Sequence, residues 1–277
     1  MQLPLSAKLT PNLLWRETSA STNLELIELT KTQSLADFTV LATADQTAGR
    51  GRSGRVWQAP AGSSLAISVL LRPRIESPTD LGKLGWLPLL AGLAMSQNVQ
   101  RLLPGQPGIG VKWPNDVLIN DLKVCGVLSE LVPLGATSEA NRFGQGVAVV
   151  VGAGINLTQQ RAELPVETAT SLGLEGAVLA FDEAERFDQV LSGYLAGLSH
   201  WYQKFSDAKF NAVASGLREA VLANCVSLGR QVRAILPGDI EQVGRATTID
   251  DQGRLVLEVK GEPWPVAAGD IVHLRHN

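Results

Sequence analysis

The sequence predicts an α+β protein that ends in a small all-β unit. Three observations carry this. Strand-like and helix-like segments are not evenly interleaved, which argues against a doubly wound parallel sheet. The stretch "NDVLINDLKVCGVL" reads as two short strands about an Asn120–Asp121 turn, an antiparallel hairpin. Beyond about residue 222 helical texture gives way to short strands separated by Gly and Asp turns, the pattern of a small β-barrel. The expected division is one domain over residues 1–222 and a second over 223–277.

Taken in order, "STNLELIELTKTQS" (21–34) has apolar residues at near-helical spacing, and Thr22 followed by Glu25 fits a capping box that would start a helix. "FTVLATAD" (38–45) is a β-rich run leading into an arginine-rich loop. "SLAISVLLRP" (64–73) is an apolar strand stopped by Pro73. Residues 84–103 read as a mostly buried helix with a proline in its first turns. "GVKWPNDVLIN" and "LKVCGVLSEL" are short strands, and "GQGVAVVVGAGINLT" is an apolar strand running into a glycine turn. Residues 181–222 read as helices.

The chain has 277 residues and a formal charge of −3, which disfavours duplex nucleic acid as its main partner. Two cysteines, Cys125 and Cys225, match no metal or disulfide spacing. The three histidines, His200, His273 and His276, lie far in sequence from every motif below, so no zinc site and no histidine-based triad is expected. The first residues lack a basic start followed by an apolar run, and no stretch approaches the roughly 18 apolar residues of a membrane span. The expectation is a cytoplasmic protein.

Against that acidic background, "TAGRGRSGRVWQAP" (47–60) concentrates Arg50, Arg52 and Arg55 among glycines. Guanidinium forks suit phosphate and carboxylate oxygens, and Gly49, Gly51 and Gly54 let backbone approach a ligand closely. A solvated loop is the alternative; its fixed place between a strand and Trp57 favours an anion site. No Gly-Lys-Ser/Thr follows, so it is not a Walker A loop. "KWPND" (112–116) and Lys123 put two lysines on an apolar hairpin, where an unpaired ammonium is costly to bury. Either lysine could instead reach solvent from an edge strand. Asn115 and Asp116 follow a proline, a setting for a polar turn. "VVVGAGINL" (149–157) lacks the third glycine of a dinucleotide fingerprint, which would fall at Leu157; the glycines are read as a tightly packed strand end presenting Asn156. In "STN" (21–23), Ser21 or Thr22 caps a helix whose N-terminus also offers free N–H groups.

Together these segments resemble the biotin protein ligases. "STN", "QTAGRGRSGRVWQAP", "KWPNDVLINDLKVCGVLSEL" and "VVVGAGINL" stand in that family's order, and the GRGRxGR, KWPND and KxxG combination is highly specific. The resemblance covers roughly residues 15–277. It implies a mixed, mainly antiparallel central sheet with helices, akin to class II aminoacyl-tRNA synthetases, and an SH3-like C-terminal β-barrel. It implies a two-step reaction: biotin and ATP give biotinyl-5′-AMP, then a lysine of a biotin carboxyl carrier domain takes the acyl group. Lys123, Arg50 and Arg52 become the expected catalytic residues. Ser21, Thr22, Asn23, Gln46, Arg50, Gly51, Arg52, Lys123 and Gly126 are expected to bind biotin. Arg50, Arg52, Arg55, Trp57, Lys112, Asn115, Asp116, Lys123 and Asn156 are expected to bind ATP. Mg²⁺ is expected to accompany the triphosphate, with no dedicated carboxylate cage. Two positions depart from the family: Ser53 stands where a further basic residue is frequent, and Leu24 where some members have Gln. Only 20 residues precede "STN", too few for the helix-turn-helix that some members carry, so no DNA partner is expected. Oligomeric state, monomer or homodimer, leaves no mark in the residues. The rival readings are a lipoate-type ligase and a non-catalytic biotin-sensing regulator.

Overall fold

The computed structural model describes residues 1–75, 77–133, 147–236, 238, 240–266 and 269–274. His276 lies outside the described residues. The described residues form, in order, β1 Leu13–Arg16, α1 Thr22–Thr32, β2 Val40–Thr43, β3 Gly49–Arg50, β4 Val56–Trp57, β5 Ser64–Leu71, then, after helix α2 Leu87–Leu102, β6 Ile109–Lys112, β7 Asp116–Ile119, β8 Leu122–Pro133 and β9 Val147–Asn156. Helices α3 Glu183–Asp207 and α4 Leu217–Asn224 follow. The second sheet contains β10 Gln231–Leu236, β11 Ile240–Ile249, β12 Leu255–Val259, β13 Glu262–Val266 and β14 Asp270–His273.

The first sheet is seven-stranded in the order β1-β2-β5-β9-β8-β7-β6. Its β1–β2 pair is parallel and the other ladders are antiparallel. β5 is buried at all eight positions because both faces of the sheet are covered, which explains its continuous apolar run in place of alternation. On one face Leu26 of α1 packs with Leu41, Leu70, Ala148 and Val150. On the other, α2 and α3 supply Leu90, Leu93, Leu191 and Tyr194 to the main core, which continues into the second sheet through Val232, Ala234 and Leu255. The second sheet runs β13-β12-β11-β10-β14, antiparallel throughout. Two indole N–H groups tie it to the first unit: Trp86 Nε1 donates to the carbonyl of Asp251 and Trp113 Nε1 to that of Gly253, each at 2.9 Å.

Three local expectations are corrected. The capping box at Thr22 and Glu25 does not form; Ser21 is the N-cap residue, without a side-chain cap bond, and Glu25 instead accepts from Arg16 Nε at 2.6 Å and Ser19 Oγ at 2.8 Å. An arginine within reach outbids a backbone N–H for a carboxylate because that bond is charge-assisted at both ends. The Gly152–Gly154 stretch is no strand end or turn: β9 runs through it to Asn156, in register with β5 and β8. The arginine-rich segment is also regular, a small β3–β4 hairpin in which Gly49 pairs with Trp57 and Arg50 with Val56. Ser53 and Gly54 turn its tip at positive φ, +54° and +74°.

Candidate functional site

One cleft of about 1410 Å³ opens between the first sheet, the β3–β4 hairpin and the second sheet, and every site residue named from the sequence lines it. Its floor is built from glycine. A Cβ on Gly152 would stand 2.2 Å from Asn23 Oδ1, and one on Gly154 2.6 Å from the Trp57 ring. The bare backbone is therefore what lets the Asn23 amide and the Trp57 indole lie flat on the sheet.

Lys123 is fixed from several sides. Its backbone N–H donates to the Thr168 carbonyl at 2.7 Å, and its carbonyl accepts from Thr170 N at 2.8 Å. Its ammonium meets Asp116 Oδ1 at 2.7 Å and lies 5.8 Å from the centroid of the Trp57 ring. Asn156 holds the strap that pins Lys123, since its Nδ2 donates to the Thr170 carbonyl at 2.8 Å while its Oδ1 accepts from Gln159 at 2.9 Å. Asn115 fastens the hairpin to the loop: Nδ2 donates to the Val127 carbonyl at 2.6 Å, and Oδ1 accepts from Arg52 Nη1 at 2.9 Å.

Of the three loop arginines, Arg50 is held apart and Arg52 and Arg55 converge on Asp270. Arg50 Nη1 reaches Glu130 Oε1 at 3.2 Å. Arg52 Nη2 donates to the Gly269 carbonyl at 3.0 Å, and its Nη1 stands 3.8 Å from Asp270. Arg55 pairs with Asp270 directly. Arg52 is held below the usual arginine range by burial first, with Asp116 opposing and Arg55 adding. Burial likewise pushes the Lys112 ammonium down; Asp116 opposes this, while Lys123 and Arg55 reinforce it. Such a cluster of cations is costly unless an anion arrives to share them.

Around Thr22 and Gln46 the lining groups are neutral. Gln46 Oε1 accepts from Thr22 N at 2.9 Å and is a second acceptor for the Thr22 hydroxyl at 3.2 Å, so the Gln46 NH₂, beside Gly49, is left as a donor. Asn23 spends Nδ2 on the Leu128 carbonyl at 3.1 Å and on Glu130 Oε2 at 2.9 Å.

Sequence reasoning missed several wall or supporting groups. His273 was placed far from every motif; the antiparallel return of β14 on β10 brings it into the cleft wall. Burial, then the Lys112 and Arg230 charges, lower its pKa to about 4, against Asp121. Arg230 can only donate to Nδ1, at 3.3 Å, so Nε2 carries the imidazole proton and faces Ser227 Oγ at 3.0 Å. Asp270 belongs to none of the motifs above, and Glu130 and Ser68 read as ordinary strand residues. Only the pairing of distant strands reveals them.

Among the described residues the carboxylates of the cleft wall are Asp116, Asp121 and Asp270, and each is paired with Lys123, Arg230 or Arg55. Among the described residues no group of three or more His, Cys, Asp or Glu could hold a metal ion. With these carboxylates engaged by cations, a Mg²⁺ accompanying a triphosphate would take its oxygen ligands from the phosphates.

The fold and cleft define a binding site for a partly polar, partly anionic small molecule. The family model for the biotin/lipoate A/B protein ligase family matches residues 16–156, and that for the biotin protein ligase C-terminal domain matches 227–274. A biotin–[acetyl-CoA-carboxylase] ligase of Mycobacterium tuberculosis is 38% identical over 93% of this chain and 87% of its own length. A bifunctional ligase/repressor of Bacillus spizizenii is 31% identical over 94% of this chain and 73% of its own. The solved biotin protein ligase from Aquifex aeolicus in complex with biotin and ATP has a TM-score of 0.70 and 27% identity, covering 96% of this chain and all of that one. The chain belongs to the biotin/lipoate A/B protein ligase family.

Proposed function

We propose that this chain is an ATP-dependent biotin protein ligase that forms biotinyl-5′-AMP and transfers biotin to a lysine of a biotin carboxyl carrier domain. The observation that carries this is one cleft lined both by neutral polar groups, Ser21, Thr22 and Gln46, and by cations, Arg50, Arg52, Arg55 and Lys112, with Lys123 in the same wall. The neutral groups suit a cyclic urea, which needs donors and acceptors but no charge. The cations suit a triphosphate.

In the first step a carboxylate oxygen of biotin attacks the α-phosphorus of ATP; the P–O bond to pyrophosphate breaks and an acyl–phosphate bond forms. Two anions must approach, and the Lys123 ammonium, oriented by Asp116, offsets their repulsion and the charge that develops at phosphorus. Arg55 and Lys112 hold the outer phosphates, which carry Mg²⁺ with them. Arg50 and Arg52 close over the mixed anhydride and exclude water that would hydrolyse it. In the second step the carrier lysine, as a free amine, attacks the acyl carbon; the C–O bond breaks and AMP leaves.

Under this reading the catalytic unit ends near residue 222, and the second sheet contributes Gly269 and Asp270 to hold the arginine hairpin. Both cysteines are free and buried, which suits a reducing cytoplasm. No described helix is long and apolar enough to cross a membrane. The test is transfer of labelled biotin to a purified carrier domain with ATP and Mg²⁺, run beside lipoate. Label on the carrier with biotin alone supports the reading. Transfer of lipoate in its place favours the lipoate-type ligase, and binding of biotin without transfer favours a sensor.

A further inference from the structure

A chain of hydrogen bonds runs behind the neutral groups of the cleft, and its direction is fixed from outside the wall. Glu130, as a carboxylate, only accepts. The Leu128 carbonyl also only accepts. Asn23 must therefore point Nδ2 at both, at 2.9 and 3.1 Å, and this turns its Oδ1 the other way, toward Ser68. Ser68 Oγ lies 2.6 Å from Asn23 Oδ1 and 2.8 Å from Thr22 Oγ1. A serine hydroxyl has one proton, and an amide oxygen can only receive it, so Ser68 donates to Asn23. Thr22 Oγ1 also has one proton and two acceptors within reach, Ser68 Oγ at 2.8 Å and Gln46 Oε1 at 3.2 Å; Gln46 Oε1 already receives the Thr22 backbone N–H, and two hydroxyl oxygens at 2.8 Å repel without a proton between them, so Thr22 donates to Ser68. With its proton turned inward, Thr22 Oγ1 presents lone pairs to the cavity. Ser68 is fully buried and Thr22 and Asn23 are 3% and 5% exposed, so water does not randomise these orientations.

We infer that Glu130 and Ser68 are positioning residues that polarise the relay Thr22→Ser68→Asn23→Glu130 and so fix Thr22 Oγ1 as an acceptor facing the ligand. Beside it, Gln46 has Oε1 occupied by the Thr22 backbone N–H and offers its NH₂ as a donor. The wall thus presents an acceptor next to a donor, the complement of the adjacent N–H and C=O of a cyclic urea. Neither Glu130 nor Ser68 lines the cleft itself. Their effect reaches the ligand through the direction of a proton. This inference rests on the biotin reading and adds to it the residues that set selectivity for a ring N–H.

The test compares two ligands in two proteins by calorimetric binding: biotin, and an analogue in which one ring N–H is replaced by CH₂ to give a lactam, each lactam isomer being measured. In the wild type, the isomer lacking the N–H that faces Thr22 is expected to bind about 30-fold more weakly than biotin, within the range for one unmet buried hydrogen bond. In Ser68→Ala only the longer 3.2 Å contact to Gln46 Oε1 holds the Thr22 proton off the ligand, and the discrimination is expected to shrink to about 10-fold. Glu130→Gln removes the charged acceptor and leaves the Leu128 carbonyl to hold Asn23 Nδ2, so a narrowing no larger than that of Ser68→Ala is expected, and its measurement stands if Ser68→Ala fails to fold. A merely structural role would weaken both ligands by one common factor. Equal discrimination in the wild type and both variants would overturn the relay while leaving the ligase reading intact. Failure of the wild type to bind biotin at all would remove the ligase reading, and the relay with it.

Discussion

Replacing Asp116 probes how Lys123 is held. The pair lies at 2.7 Å with the side chains 32% and 19% exposed, between the surface and the buried regime. Exposed pairs contribute about 0–1 kcal/mol, and breaking a fully buried pair costs about 3–5 kcal/mol. Solvent screening of this half-buried pair places the cost of Asp116→Ala at about 2 kcal/mol, a roughly 30-fold loss in the adenylation rate constant if all of it appears in the transition state. Asp116→Asn keeps an oxygen that can accept from the ammonium and loses only the charge, so about 10-fold is expected. The charge also opposes the downward push of burial on Lys112. Without it the Lys112 ammonium gives up its proton at lower pH, and the alkaline limb of activity moves down. Pyrophosphate release at saturating biotin and ATP, measured from neutral to alkaline pH, reads both effects. A rate constant for Asp116→Ala equal to that of the wild type, with an unmoved alkaline limb, would refute the reasoning.

Two further predictions follow from the same geometry. Arg52→Gly removes the bonds to Asn115 and to the Gly269 carbonyl that tie the hairpin to both sheets. The acyl-adenylate should then escape and label unrelated proteins; no rise in biotin on a bystander protein over wild type would contradict the covering role. His273 has its pKa lowered to about 4, below an ordinary value near 6.5, so the unfolded chain binds the extra proton first. Its contribution is complete above about pH 6.5 and is lost as pH falls toward 4, amounting to about 3 kcal/mol at most. His273→Gln should flatten the stability profile in that window, read by thermal unfolding at a series of pH values; an unchanged slope would count against it.

What the sequence made legible and what it hid divide along contact distance. The groups that line the cleft cluster in short motifs because a loop, a hairpin turn and a helix start each deliver several neighbours to one place. The groups that support them come from far away. Arg55 and Asp270 are 215 residues apart, and Asn23 and Glu130 are 107 apart. No local pattern marks Ser68, an ordinary-looking serine in a buried strand, until α1 is packed over it. The Gly152 and Gly154 pair looked like a turn because glycine is commonest there, yet both serve close approach by Asn23 and Trp57 within a continuous strand. His273 seemed remote because antiparallel return, not spacing, sets where β14 ends.

The most direct measurement is biotin-dependent pyrophosphate release by Lys123→Ala, with folding checked by thermal unfolding. If the Lys123 ammonium offsets the repulsion between the carboxylate and the α-phosphate, a folded variant should lose adenylation by about 1,000-fold or more, in keeping with the loss of a principal electrostatic group. Turnover by folded Lys123→Ala within about tenfold of wild type would contradict the account.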